Sequence, residues 1–85
     1  MTEPLYNVGD LFISAVKINE NDLMQDTGIL TNREWIKAKG SPDIGYWQYR
    51  VRWSKVNWSP HYSQWELDRR VKGDEWTYYP CKPNK

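Results

Sequence analysis

Trp47-Gln48-Tyr49-Arg50-Val51-Arg52-Trp53-Ser54 alternates large apolar and polar residues without a break. Period two is the spacing of a β-strand, whose successive side chains point to opposite faces. Trp47, Tyr49, Val51 and Trp53 then line one face, and Gln48, Arg50, Arg52 and Ser54 the other. One dry face and one wet face favour an antiparallel sheet. Working outward, Val8-Gly9-Asp10 reads as a turn that starts a strand over Asp10–Ile18. That strand is apolar on both faces (Leu11 and Ile13; Phe12 and Val16), as in a strand covered on both sides. Ile18–Asp22 is a polar loop, and a third strand is expected from Thr27 through Trp35. Gly40-Ser-Pro-Asp-Ile-Gly45, with two glycines and a proline, reads as a loop.

Thr31–Lys39 has a rival reading as a short helix, because Thr31 and Glu34 match a capping box and Gly40 suits the position after a helix end. Strand is preferred, since Ile29-Leu30 should pair with the Trp47 strand. Ser59-Pro60 suits the start of a short helix, so a helical turn is expected within Pro60–Leu67, and Gly73 suits its end. After a Lys72–Glu75 turn, Trp76–Tyr79 reads as the last strand, and Pro80–Lys85 as a loose, flexible tail.

The chain has 85 residues, one domain's worth, with its core expected within about 6–79. Leu, Ile, Val and Phe together number 16, roughly the level at which chains stay disordered. Six Trp, six Tyr and a net charge of only +1 argue the other way. Each large ring buries roughly 150–250 Å², so the core must be aromatic. Phe12, Trp47, Tyr49, Trp53 and Trp65 are the expected core rings. About five short strands and one helical turn make a small antiparallel barrel or rolled sheet, mainly β. Closure would remove edges that so short a chain cannot otherwise cover.

The order of four motifs resembles a known family: Tyr6-Asn-Val-Gly-Asp-Leu11, Thr27-Gly-Ile-Leu30, Tyr49-Arg-Val-Arg-Trp-Ser54 and His61-Tyr-Ser-Gln-Trp-Glu-Leu67. It is similar to small SH3-like barrel proteins of the Tudor or KOW type, especially the short proteins of unknown function carried by tailed phages and cyanophages. The resemblance covers about residues 6–71 and implies the SH3-like fold. It implies little about function, since such folds host many. The chain departs from the pattern in its extra tryptophans, its longer segment between Leu30 and Tyr46, and its Trp76–Tyr79 stretch. Those departures are the expected places for a partner-specific surface.

Little in the sequence points to reaction chemistry. One Cys and one His do not make a zinc site, and no phosphate-loop or nucleophile-elbow motif is present. His61 reads as a surface or turn residue and Cys81 as an exposed, inert thiol. The Glu66/Asp68 and Asp74/Glu75 pairs lie beside Arg69, Arg70 and Lys72, which favours local charge balance over acid–base work. No enzyme and no cofactor are expected. No apolar run approaches 18 residues, so no membrane span is expected. The lone Cys81 and an opening without a basic, then apolar, stretch lead to an expected cytoplasmic location, the host's if the chain is phage-encoded.

Ten of the thirteen aromatics lie between Tyr46 and Tyr79, too many for one small core. Tyr46, Trp58, Tyr62, Trp76, Tyr78 and Tyr79 cannot all fit inside it, so some of them are expected to be partly exposed. Exposed Trp, Tyr and Arg are the types enriched in protein–protein hot spots. The same rings would suit a cage for a methylated amine. Residues 1–32 carry a net −4 and residues 33–85 a net +5, which makes a two-signed surface. The first reading is a binding module that engages a host or viral protein through Arg50, Arg52, Trp58, Tyr62, Arg69, Arg70, Trp76 and Tyr78. The alternative is a nucleic-acid-binding module using Arg50, Arg52, Arg69, Arg70 and Lys72 with stacked aromatics, against which the near-zero net charge counts. A continuous positive stripe would favour the alternative, and a mixed apolar patch the first. The aromatic surplus and an edge at Trp76–Tyr79 also suggest a homodimer.

Overall fold

A computed structural model describes residues 3–17, 19–20 and 23–81. Five strands, β1 (Leu11–Lys17), β2 (Leu23–Ala38), β3 (Ser41–Trp53), β4 (His61–Ser63) and β5 (Trp76–Tyr79), form one antiparallel sheet in the order β4-β3-β2-β1-β5. Among the described residues one helix, α1 (Gln64–Lys72), lies between β4 and β5 in the chain.

The alternation over Trp47–Ser54 sets the faces. Tyr49, Val51 and Trp53 are buried while Arg50 and Arg52 are exposed. Tyr6, Phe12, Leu30 and Leu67 complete the buried core, with Trp47, Tyr62, Val71, Trp76 and Tyr78 packed against it. β2 is shared by two ladders. Leu23–Ile29 pairs with β1, and Gly28–Ala38 pairs with β3. The sheet changes direction where these ladders meet, beside a register shift between Leu30 and Asn32. Gly28 permits this, because a Cβ there would stand 2.6 Å from Val51 Cγ1 and 2.8 Å from Trp53. The result is a roll, with β5 rings packed on β3 and β4 rings. Phe12, Trp53 and Tyr62 all meet Trp76.

The roll does not close into a barrel by hydrogen bonds. β4 and β5 stand at opposite ends of the ladder order, and α1 contacts both. The gap between the edges is covered by a helix and an aromatic seam.

Other expectations need correction. Of the expected 40–45 loop, 41–45 is strand: β3 begins at Ser41, and only Lys39-Gly40, with Gly40 at φ 82°, makes the turn. Thr31–Ala38 is strand, as preferred, and the hairpin runs well past its neighbours. β1 pairs no further than Ile29 and β4 no further than Gln48, so residues 35–47 form a two-stranded arm. Edge-to-face packing of Trp35 on Trp47 (5.6 Å) and of Tyr46 on Trp65 (5.2 Å) steadies it. The long dimension of 51 Å and a radius of gyration of 14.4 Å reflect the arm, against about 12 Å for a compact chain of this length.

The helix starts at Ser63, not Ser59. Ser63 Oγ accepts from Glu66 N–H and Glu66 Oε1 accepts from Ser63 N–H, a reciprocal capping box. It runs to Lys72, past the helical turn expected within Pro60–Leu67, and Gly73, which suits such an end, caps it. Leu67 faces the core, which turns Trp65 outward to 60% exposure, so Trp65 is not a core ring. β1 is covered on one side only, leaving Leu11 exposed. The tail is anchored at its start, because Cys81 N–H donates to Asp10. The remainder of the tail, residues 82–85, lies outside the described residues, as do Ile18, Asn21 and Asp22 of the expected 18–22 loop.

Candidate aromatic groove

The site is built where β3 turns toward β4. Trp53 N–H donates to the Trp58 carbonyl (2.8 Å), and Asn57, at φ 50°, lets the chain reverse between them. Asn is among the few residues that accept this left-handed conformation readily. The turn is tied from below by Asp26. Its Oδ1 accepts from Ser54 Oγ (3.0 Å), Lys55 N–H (2.8 Å) and Thr27 N–H (2.8 Å). Burial pushes the Asp26 carboxyl up, but the bonds from Lys55, Ser54, Thr27 and Val56 outweigh it and hold it below the usual range. An ionised carboxylate thus fixes the turn that carries Trp58.

Trp53, almost fully buried, forms the floor, and its Nε1–H donates to Tyr62 Oη (3.1 Å). Trp76 stands edge-to-face on Trp53 (4.9 Å) and on Tyr62 (5.3 Å). Behind them the Arg70 guanidinium lies over both the Trp76 ring (5.2 Å) and the Tyr62 ring (5.4 Å). These cation–π contacts hold the wall in place from the helix side. Ser14, Met24, Val56 and Trp58 complete an open groove of about 220 Å³. Met24, Val56 and Trp58 are its exposed rim, with Trp58 61% exposed.

The structure brings together four of the eight expected partner-binding residues: Trp58, Tyr62 and Trp76 at the groove, and Arg70 behind it. The other four lie elsewhere. Arg50 and Arg52 are on the opposite, outer face of β3, where Arg50 Nε donates to His61 Nε2 (3.3 Å). Arg69 is exposed on α1, near a Lys72–Asp68 pair at 3.9 Å. Tyr78 packs into the core: its ring meets Phe12 (5.4 Å) and Tyr6 (5.1 Å), and its hydroxyl donates to Asp10 Oδ2 (2.6 Å). The basic residues therefore make no continuous stripe. Met24, Asp26 and Val56 belong to the site although nothing in their spacing marks them, and Trp53 serves both core and groove.

Among the described residues no three His, Cys, Asp or Glu side chains cluster to hold a metal ion, and no helix is long and apolar enough to cross a membrane. What the groove offers is ring faces and edges, a thioether and one anchored carboxylate, which suit an apolar or aromatic anchor side chain. No family model, curated protein or solved structure matches the chain.

Proposed function

We propose that the chain is a non-enzymatic binding module of SH3-like type that takes a protein partner on the Trp53–Trp58–Tyr62–Trp76 groove. The carrying observation is Trp58, a tryptophan 61% exposed at the rim of a groove otherwise walled by packed rings. Exposed tryptophan beside a preformed apolar concavity is the composition of a hot spot. The buried carboxylates support a binding role over a catalytic one: Asp10 and Asp26 are committed to backbone donors that hold turns. The SH3-like reading draws support from the strand order and from β5 returning beside β1. On the resemblance, the partner is a host or viral protein. Nucleic acid is the less favoured ligand, because Arg50 and Arg52 face away from the stacked rings.

The test is selection of a displayed random peptide library against the chain, with random oligonucleotides titrated in parallel. Enriched peptides should carry an apolar or aromatic anchor, and their amide shift changes should centre on Met24, Trp58 and Trp76. Trp58→Ala should weaken them by about 2 kcal/mol, roughly thirtyfold. Tight oligonucleotide binding with a log–log salt slope near −3.6, as about four phosphate contacts would give, would overturn the reading.

A further inference from the structure

The sequence gives β1 two apolar faces, and the fold covers only one. Across the outer face the register aligns Tyr79 of β5, Leu11 of β1, Ile29 of β2 and Arg52 of β3 in a single row. Tyr79, Leu11 and Ile29 are 49, 37 and 42% exposed, and Arg52 is exposed too. The next row is Thr77, Ile13 and Thr27, so the two rows carry no acidic side chain. The row therefore has an apolar centre, a cation at one end and an aromatic ring at the other.

We infer that this outer face pairs with the same face of a second copy. A two-fold axis along the strands, between β1 and β2, reverses the row on itself. Ile29 then lies over the second copy's Leu11, and Arg52 over its Tyr79, twice by symmetry. Apolar meets apolar, and each guanidinium meets a ring rather than another guanidinium, which is an attractive cation–π arrangement. The charge pattern is thus self-complementary. An acidic foreign surface would satisfy Arg52 but not the apolar centre of Leu11 and Ile29. Four strands about 4.8 Å apart, over the four residues that β5 shares with β1, make a patch of about 260 Å² per copy. The total of about 520 Å² falls well below the ~1,200 Å² of standard stable interfaces, so the dimer is weak. The face lies across the sheet from the groove, so pairing leaves Trp58 accessible.

Sedimentation equilibrium of the full chain from about 10 µM to 1 mM tests this. The expected result is a rise from the 10.2 kDa monomer toward twice that mass. Ile29→Glu, at an exposed position the fold should tolerate, should abolish the rise while the circular dichroism spectrum stays that of the parent. Tyr79→Lys, which sets a second cation over Arg52, should weaken association at least tenfold. Tyr79→Glu should strengthen it severalfold. Trp58→Ala should leave it unchanged. A mass that stays at the monomer value up to 1 mM would overturn the inference. So would association that Trp58→Ala removes and Ile29→Glu does not. Equal effects of Tyr79→Lys and Tyr79→Glu would overturn the reversed-row register.

Discussion

Two aromatic clusters, joined where Phe12 meets Trp76, differ in how far their rings are closed off from solvent. In the first, Tyr6, Phe12, Tyr49 and Tyr78 meet at 5.1–5.6 Å, and every hydroxyl has a fixed acceptor. Tyr6 Oη donates to Asp68 (2.5 Å), Tyr49 Oη to Gln64 (2.5 Å) and Tyr78 Oη to Asp10 (2.6 Å). These bonds join the N-terminal segment, β3, α1 and β5 across long stretches of chain. In the second cluster, Trp53, Tyr62 and Trp76 are packed from behind, and Trp58 opens to solvent. Rings closed inside the fold, with their hydroxyls tied to distant segments, hold it together. Rings whose faces are left open at a concave rim are available to a partner. The two clusters should therefore separate when truncated.

The largest effect is expected in the first cluster. Tyr49→Ala removes a fully buried ring and should cost about 3–5 kcal/mol. That matches the whole stability expected of so short a chain. The variant should be unfolded by circular dichroism at 25 °C. A cooperative melt close to the parent's would break the comparison at its structural end.

Tyr78→Phe keeps the ring but takes one donor from the buried Asp10, so about 1–3 kcal/mol should be lost. Urea unfolding with an unchanged slope and a lower midpoint would bear this out. An unchanged midpoint would show that the hydroxyl bond is not part of the anchor.

Acid and alkali sharpen the same point. Hydrogen bonding holds Asp10, Asp26 and Glu66 below their ordinary carboxylate values. For Asp10 and Asp26 it does so against burial, which acts the other way. Their contribution is complete above about pH 5 and is lost as pH falls below about 4. Tyr6 and Tyr78 are raised by burial and by their carboxylate partners. Their contribution is complete below about pH 10 and is lost as pH rises beyond it. Midpoints measured from pH 2 to 11 should show a plateau between those limits, and Tyr78→Phe should flatten the alkaline side.

How much of this was legible depended on range. Period two placed Trp47–Trp53 on the sheet and sorted its faces, because that signal is local. Trp76–Tyr79 and the Gly73 helix end were legible for the same reason. The arm was not: Gly40 and Pro42 look like a loop, yet Lys39-Gly40 suffices to turn the chain and β3 already runs through position 42. Pro tolerates such an unpaired strand edge. Ser59-Pro60 suits a helix start, but Ser63-Gln-Trp-Glu66, which also has the capping-box spacing, is where the box closes. At the groove, the excess of rings pointed to Trp58, Tyr62 and Trp76. Tyr78 was indistinguishable from them, because its partner Asp10 stands 68 residues away. Asp26 carried no signal at all, since its donors at Ser54 and Lys55 become neighbours only once β2 and β3 pair.

Trp58→Ala, read for stability and binding together, tests the separation most directly. The account predicts a thermal midpoint within a few degrees of the parent's, because the ring is mostly in water, and a loss of about thirtyfold in affinity for groove-selected peptides. A midpoint lowered as far as a core truncation would lower it, or peptide affinity that stays at the parent's value, would contradict it.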